Sequence, residues 1–140
     1  MRLIITLFTL LLMSSCSREV YHSIDGFYFT VQGLEKAELI IVLDDFSSIE
    51  GYEKLPEGGE KIMPNYKVNL MMARYKNDDG YQFSVNNILN KNCFSVSTHD
   101  MERRGEDEAK NISRQLKLRL ETEYKSTFRI HKDQYCKIAH

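Results

Sequence analysis

Few side chains in this sequence carry reactive chemistry, and their spacing limits what they can do. The 140 residues include three cysteines, Cys16, Cys93 and Cys136, and four histidines. His131, Cys136 and His140 follow one another with four and three residues between them, and a fold that joins distant segments can bring His99 and Cys93 close to them. Imidazole nitrogen and thiolate sulfur are the donors of a tetrahedral zinc site. Oxidation of the thiols removes them from such a site. Two adjacent pairs of aspartates, Asp44-Asp45 and Asp78-Asp79, offer carboxylates for acid–base work or for a loose cation site. Adjacent aspartates beside breaks in the pattern are more often solvated turn residues. His22, His99 and His131 can serve as general bases or pH sensors, yet no nucleophile stands beside any of them in the sequence.

The motifs that carry a mechanism are absent from the chain: GxSxG, HExxH, GK[ST], GxGxxG and CxxC. The expectation is a non-enzymatic protein with no catalytic residues, no metal ligands and no cofactor. The alternative is a small enzyme or metal-binding protein that uses His99, His131 and nearby acids. Aromatic residues are more suggestive. Eight tyrosines and seven phenylalanines occur with no tryptophan, and tyrosine suits an interface because a rigid apolar ring carries a polar tip. Packing across a sheet uses the same residues. Tyr52 and Tyr66, with Asp44 and Asp45, are the candidate binding residues.

The elements that must position these groups follow from periodicity. Gly26–Gln32 alternates, with Phe27, Phe29 and Val31 on one side, and reads as a strand with one buried face. After a turn over Gly33–Ala37, Glu38–Leu43 is a compact apolar run rich in β-branched residues. It reads as a central strand buried on both faces, paired with the first strand in a hairpin. Asp44–Asn65 has no clear period and contains Gly51, Pro56, Gly58-Gly59 and Pro64. This predicts a loop of about 22 residues, with a helical turn near Phe46–Tyr52. Loops of that length are often functional, and a plain surface insertion is the other reading.

Tyr66–Tyr75, Tyr81–Val85 and Cys93–Thr98 read as a three-stranded antiparallel meander. The turn Asn77-Asp78-Asp79-Gly80 joins the first two strands, and Asn86–Asn92 turns into the third. Asp100–Lys125 reads as a helix capped by Asp100, with Ala109, Ile112, Leu116, Leu120 and Tyr124 forming one apolar stripe. Glu106 with Lys110, and Glu121 with Lys125, are favourable pairs one turn apart. Ser126–His131 and Tyr135–Ile138 read as short strands. The fold class is α+β: an antiparallel β-sheet of about five to seven strands with one long α-helix packed on one face. Residues 26–140 form a single domain.

The first stretch sets the compartment. Met1-Arg2 is followed by the apolar run Leu3–Met13, which as a helix spans roughly 16 Å, about half the thickness of a bilayer core. That length suits a cleaved signal rather than a membrane span. Leu12-Met13-Ser14-Ser15-Cys16 resembles the lipobox of bacterial lipoproteins, with small Ser14 and Ser15 before the cysteine and Leu-sized Met13 where leucine is usual. The resemblance implies a signal peptide over residues 1–15, diacylglycerol on the Cys16 thiol, an acylated new amino terminus and a tether over residues 16–25. Ser17, in place of the aspartate that tends to retain lipoproteins in the inner membrane, implies the outer membrane, facing the periplasm. Ordinary secretion, with cleavage after Ser15 or Ser17 to give a soluble secreted or periplasmic protein, is the alternative.

With Cys16 lipidated, Cys93 and Cys136 remain as a pair. In an oxidising compartment such a pair most often forms a disulfide. The formal net charge is −1, which gives no basic footprint for nucleic acid. The expected partners are the membrane, through lipid on Cys16, and an envelope protein. Candidate roles are an assembly or pilotin-like factor, or an immunity or inhibitor protein. The partner surface is expected on the Asp44–Asn65 loop or at an exposed sheet edge by strand addition.

Overall fold

Alternation places Phe27, Phe29 and Val31 on one face of the first strand, and the whole fold is laid on that face. The computed structural model describes residues 23–56, 70–88, 92–100, 105–132 and 136. Strand β1 (Asp25–Val31) leads into helix α1 (Lys36–Ile49) and the two-residue strand β2 (Glu53–Lys54). Strands β3 (Leu70–Lys76), β4 (Tyr81–Asn87) and β5 (Cys93–Asp100) follow, then helix α2 (Asp107–Tyr124), a 3-10 turn (Lys125–Thr127) and β6 (Phe128–His131). The strands form one six-stranded sheet in the order β2-β3-β4-β5-β1-β6. Every neighbouring pair is antiparallel. This is the α+β class expected, with α2 packed on the sheet. Among the described residues no helix is long and apolar enough to cross a membrane.

The meander and its turn stand where the sequence puts them. Asn77 folds the hairpin: its Oδ1 accepts from Tyr81 N–H at 2.9 Å, and its carbonyl accepts from Gly80 N–H at 3.1 Å. Gly80 takes a φ of +86°, which glycine adopts without a Cβ penalty. Helix α2 buries Ala109, Ile112, Leu116 and Leu120 at the expected spacing. It starts later than expected, with Glu106 at the N-cap. Asp100 belongs to β5, and its Oδ2 accepts from Gly105 N–H at 2.9 Å. Of the two expected pairs on α2, Glu106 binds Lys110 at 2.6 Å, while Glu121 approaches Lys117 at 3.9 Å.

The segment expected as a central strand is a helix. Leu39, Val42, Leu43 and Phe46 are the buried apolar residues of α1, the three-and-four spacing of an amphipathic helix, and Ile41 within the same run is 68% exposed. Glu35 and Glu38 form a capping box at the amino end. At the other end Gly51 takes a φ of +75°, and Tyr52 N–H donates to the Ser47 carbonyl at 2.8 Å, closing a Schellman motif. The predicted hairpin between β1 and residues 38–43 therefore does not form, and β1 pairs instead with β5 and β6. The predicted loop begins as helix, through Asp44 to Ile49.

Both helices cover the same face. One core cluster joins Leu39, Leu43 and Phe46 of α1, Ile112, Leu116 and Leu120 of α2, and Phe29, Tyr75, Phe83 and Phe94 of the sheet. A smaller cluster of Ile88, Cys93 and Cys136, with Tyr28 against it, sits apart from the main core. The signal segment with Cys16 and His22, and also Tyr66, Tyr135, Ile138 and His140, lie outside the described residues.

Candidate functional site

The adjacent aspartates Asp44 and Asp45 point to opposite flanks of α1. Asp44 faces the sheet edge, where its Oδ1 accepts from Tyr75 Oη at 2.6 Å and lies 3.0 Å from Lys54 Nζ. Tyr75 is fully buried and stacks on Phe83, ring centroids 4.7 Å apart. Burial, and then the bond to Asp44, push the Tyr75 hydroxyl far above the usual tyrosine range. Asp45 faces α2 and meets Arg119 Nη2 at 2.8 Å, and Arg119 also reaches Glu123 at 3.5 Å. The two carboxylates fasten one helix to two different neighbours, so they do not form an acid–base pair.

Tyr52 lies beneath the end of α1. Its ring packs edge-on against Phe83 at 5.3 Å, and the residue is 5% exposed. Among the described residues its buried hydroxyl has no hydrogen-bond partner. Burial raises its pKa well above the usual range, and the carboxylates of Glu108, Glu50 and Asp79 add to the shift. Those three residues come from the first turn of α2, the C-cap of α1 and the β3–β4 turn. Glu50, Asp79 and Glu108 were not singled out in the sequence as a group. The signal available was Gly51 directly after an apolar helical spacing, which fixes where α1 stops and where Tyr52 turns inward.

Among the described residues, the two histidines His99 and His131 do not converge. His131 shares a 2.9 Å hydrogen bond through Nε2 with Thr30 Oγ1. Its register partner Tyr28 lies opposite Ser95 on the other side. His99 is four residues further along β5, a displacement of about 13 Å along the strand direction at ~3.3 Å per residue. Cys93 and Cys136 do converge, with their sulfurs 2.06 Å apart, disulfide distance. Among the described residues no group of three or more His, Cys, Asp and Glu side chains is arranged to hold a metal ion.

The β6 edge offers little backbone for strand addition. Gln32 N–H donates to the Thr127 carbonyl, so the alternation of an antiparallel ladder aims the main-chain groups of Arg129 and His131 at β1 and those of Phe128 and Ile130 outward. Phe128 N–H already donates to the Lys125 carbonyl, and Arg129 Nη1 donates to the Phe128 carbonyl at 2.8 Å. Within β6 this leaves Ile130, whose side chain is 40% exposed. At the opposite edge, β2 is two residues long.

Comparison with protein-family models, with curated proteins and with solved structures finds no match for this chain.

Proposed function

We propose that this protein is a small envelope lipoprotein, anchored by lipid on Cys16 at the periplasmic side of the outer membrane, with a non-enzymatic protein-binding role. The role is of the assembly or pilotin-like kind, or of the immunity or inhibitor kind. The observation that carries the reading is the pairing of Cys93 with Cys136. Of the three cysteines this leaves Cys16 over, at the end of the apolar run and in a lipobox-like setting. Disulfides persist in oxidising compartments, which the export signal supplies. The binding half rests on the aromatic-rich sequence, with eight tyrosines and seven phenylalanines. Ile24 is tied to Thr98 at 2.8 Å, so the chain between Cys16 and the sheet spans at most about 25–30 Å at ~3.5 Å per residue. A partner must be reachable close to the membrane surface.

Metabolic labelling with a fatty acid tests the anchor. The wild-type chain takes up label and the Cys16→Ser variant does not; label that persists in the variant overturns the lipid assignment. Affinity purification of the full-length protein from envelope extracts tests the role. A stoichiometric envelope protein supports it, and a chain recovered alone under cross-linking conditions counts against it.

A further inference from the structure

Both helices lie on one face of the sheet, over Phe29, Tyr75, Phe83 and Phe94. The alternate residues of each strand point the other way. On that helix-free side the register sets Arg74 opposite Ser84, Ser84 opposite Ser97, and Ser97 opposite Gly26. Lys76, two residues beyond Arg74, stands opposite Glu53. Arg129 of β6, opposite Thr30, is on the same side. Glu53 is the one carboxylate that the described strand residues place there. Helix α1 alone carries Glu38, Asp44 and Asp45 over the other face. The whole chain has a formal net charge of −1, yet this side of the sheet is basic.

Arg74 is the unanswered charge of this side. The residue is partly exposed, and its Nε is buried with no hydrogen-bond partner among the described residues. No carboxylate among them pairs with it. Arg119 makes the comparison: its Nε is likewise unpartnered, but its Nη2 is met by Asp45 at 2.8 Å. The surroundings of Arg74 are short and polar. Gln82, Ser84 and Ser95 are buried as a polar floor, while Ser97 is partly exposed and Gly26 exposed. From Gly26 to Arg74 is three strand spacings, about 14 Å, the reach of four or five extended residues. Along that row no bulky side chain stands before the guanidinium.

We propose that the helix-free face of the sheet docks an acidic segment of a protein partner, with an Asp or Glu carboxylate of that segment on the guanidinium of Arg74. A guanidinium presents Nε–H and Nη–H side by side, and one carboxylate accepts from both. The same group supplies the missing charge and the missing acceptor, and Lys76 extends the positive field along β3. A bilayer of anionic lipid has the right sign but the wrong shape. Its surface meets the exposed Lys76 and Arg129 before the partly buried Arg74, whereas a single side chain reaches in. The acidic segment is the partner chemistry of the binding role proposed above, on which this assignment rests; it does not depend on the lipid anchor.

The test uses the full-length protein in detergent with a fluorescent octa-glutamate peptide and its uncharged octa-glutamine counterpart. The glutamate peptide binds and the glutamine peptide does not. Arg74→Gln weakens binding by about fivefold or more, and Arg74→Lys, which keeps the charge but loses the fork, by about threefold. Ser97→Leu changes no charge and obstructs the row, with a loss of about threefold or more. Arg114→Gln, at an exposed cation of α2, leaves binding within about twofold. Where Ser97→Leu fails to fold, the two Arg74 variants carry the test. Unchanged binding in Arg74→Gln, or an equal loss in Arg114→Gln, overturns the proposal. Phosphatidylglycerol vesicles that bind the wild type as tightly, and lose that binding in Arg74→Gln, assign the face to a lipid surface and overturn the protein partner. Polygalacturonate that competes as well as the peptide assigns it to an acidic glycan, with the same consequence. An envelope protein recovered as fully by Arg74→Gln as by the wild type overturns this docking face and leaves the binding role standing.

Discussion

Tyr75 Oη donates a 2.6 Å hydrogen bond to Oδ1 of Asp44, joining a fully buried residue of β3 to the exposed flank of α1. The phenol ring is held by stacking on Phe83, so the position of the hydroxyl, and with it the seat of the helix, is set from the core. Lys54 Nζ, 3.0 Å from the same carboxylate oxygen, adds the edge strand β2 to the joint. A hydrogen bond to a charged acceptor is worth more than a neutral one, and the partial exposure of Asp44 reduces that advantage. Tyr75→Phe is expected to lower the unfolding free energy by about 1–2 kcal/mol. Asp44→Ala should cost at least as much, because it leaves the Tyr75 hydroxyl without a partner. Urea denaturation of both variants checks this, and a Tyr75→Phe curve superimposable on the wild type would remove the joint from the account.

Asp45, the next residue, should behave differently. Its ion pair with Arg119 is 2.8 Å long, but the two side chains are 54% and 37% exposed. Water and salt screen such a pair, and median values for exposed pairs lie below about 1 kcal/mol. Asp45→Asn is therefore expected to shift stability by well under half the effect of Asp44→Ala. Equal losses for the two aspartates would mean that α1 is held mainly by its contact with α2.

The contrast also marks how far the sequence could be read. The hairpin at Asn77–Gly80 and the stripe on α2 were legible because each is a local signal: turn chemistry in one case, an uninterrupted three-and-four spacing in the other. The run Leu39–Leu43 was not, because Ile41 fills the gap in the helical pattern with an apolar residue that the fold leaves exposed. Five consecutive apolar residues look the same in a strand buried on both faces and in this helix. The signals for the helix lie outside the run, in Glu35 with Glu38 before it, and in Phe46 and Gly51 after it. The setting of Tyr52 was less legible still: it could be picked out as an aromatic residue in an irregular stretch, but its packing edge-on against Phe83 comes only from tertiary structure.

Three tyrosines should resist alkali. Burial, ahead of nearby carboxylates, raises the pKa values of Tyr52 and Tyr75 far above the ordinary value, and Tyr124 is pushed up to about 12 by burial, then by Glu123 and Glu38. In the unfolded chain each ionises near the ordinary value of about 10. The folded state holds these protons more tightly, so above that pH the unfolded chain is the first to lose them. The stability contributed by these groups is complete below about pH 10 and falls as the pH rises beyond it. Melting temperature should therefore be flat through neutral and mildly alkaline pH and drop beyond about pH 10. Ultraviolet titration should show these three of the eight tyrosines ionising only as the near-ultraviolet circular dichroism is lost. Ionisation of all eight in a single step with the dichroism intact would contradict the burial of these rings.

Cys93 and Cys136 are 43 positions apart. Loop-closure bookkeeping for a cross-link of that span gives about 4 kcal/mol, an upper figure that residual structure in the unfolded chain reduces. Cys93→Ser with Cys136→Ser, in an otherwise unchanged chain, should lower stability by about 2–4 kcal/mol. The loss should be matched in the wild type by treatment with a reductant under denaturing conditions. Thiol titration of the denatured, unreduced protein supplies the direct count, and free thiols at both positions would show that the pair is not oxidised.

Gly26 sits in β1 opposite Ser97, where two backbones approach too closely for a side chain. A Cβ at this position would meet the Val96 carbonyl oxygen inside any normal contact distance, with the Val96 carbonyl carbon and Ser97 Cα at 3.2 and 3.3 Å. The obstruction is backbone in a central strand, so it cannot rotate away as a side-chain tip can. Gly26→Ala should force β1 away from β5 and cost about 1–3 kcal/mol, the range for overpacking a well-filled site. Gly33→Ala is the informative control. Its Cβ would meet nothing within 4 Å, but its φ of +75° strains any other residue, so its smaller cost, of about 1 kcal/mol, comes from the backbone alone. Hydrogen exchange distinguishes the two. Gly26→Ala should weaken protection along both β1 and β5, whereas Gly33→Ala should leave β5 protected. Equal and uniform loss in both variants would mean that the β1–β5 approach is not the constraint assigned to Gly26.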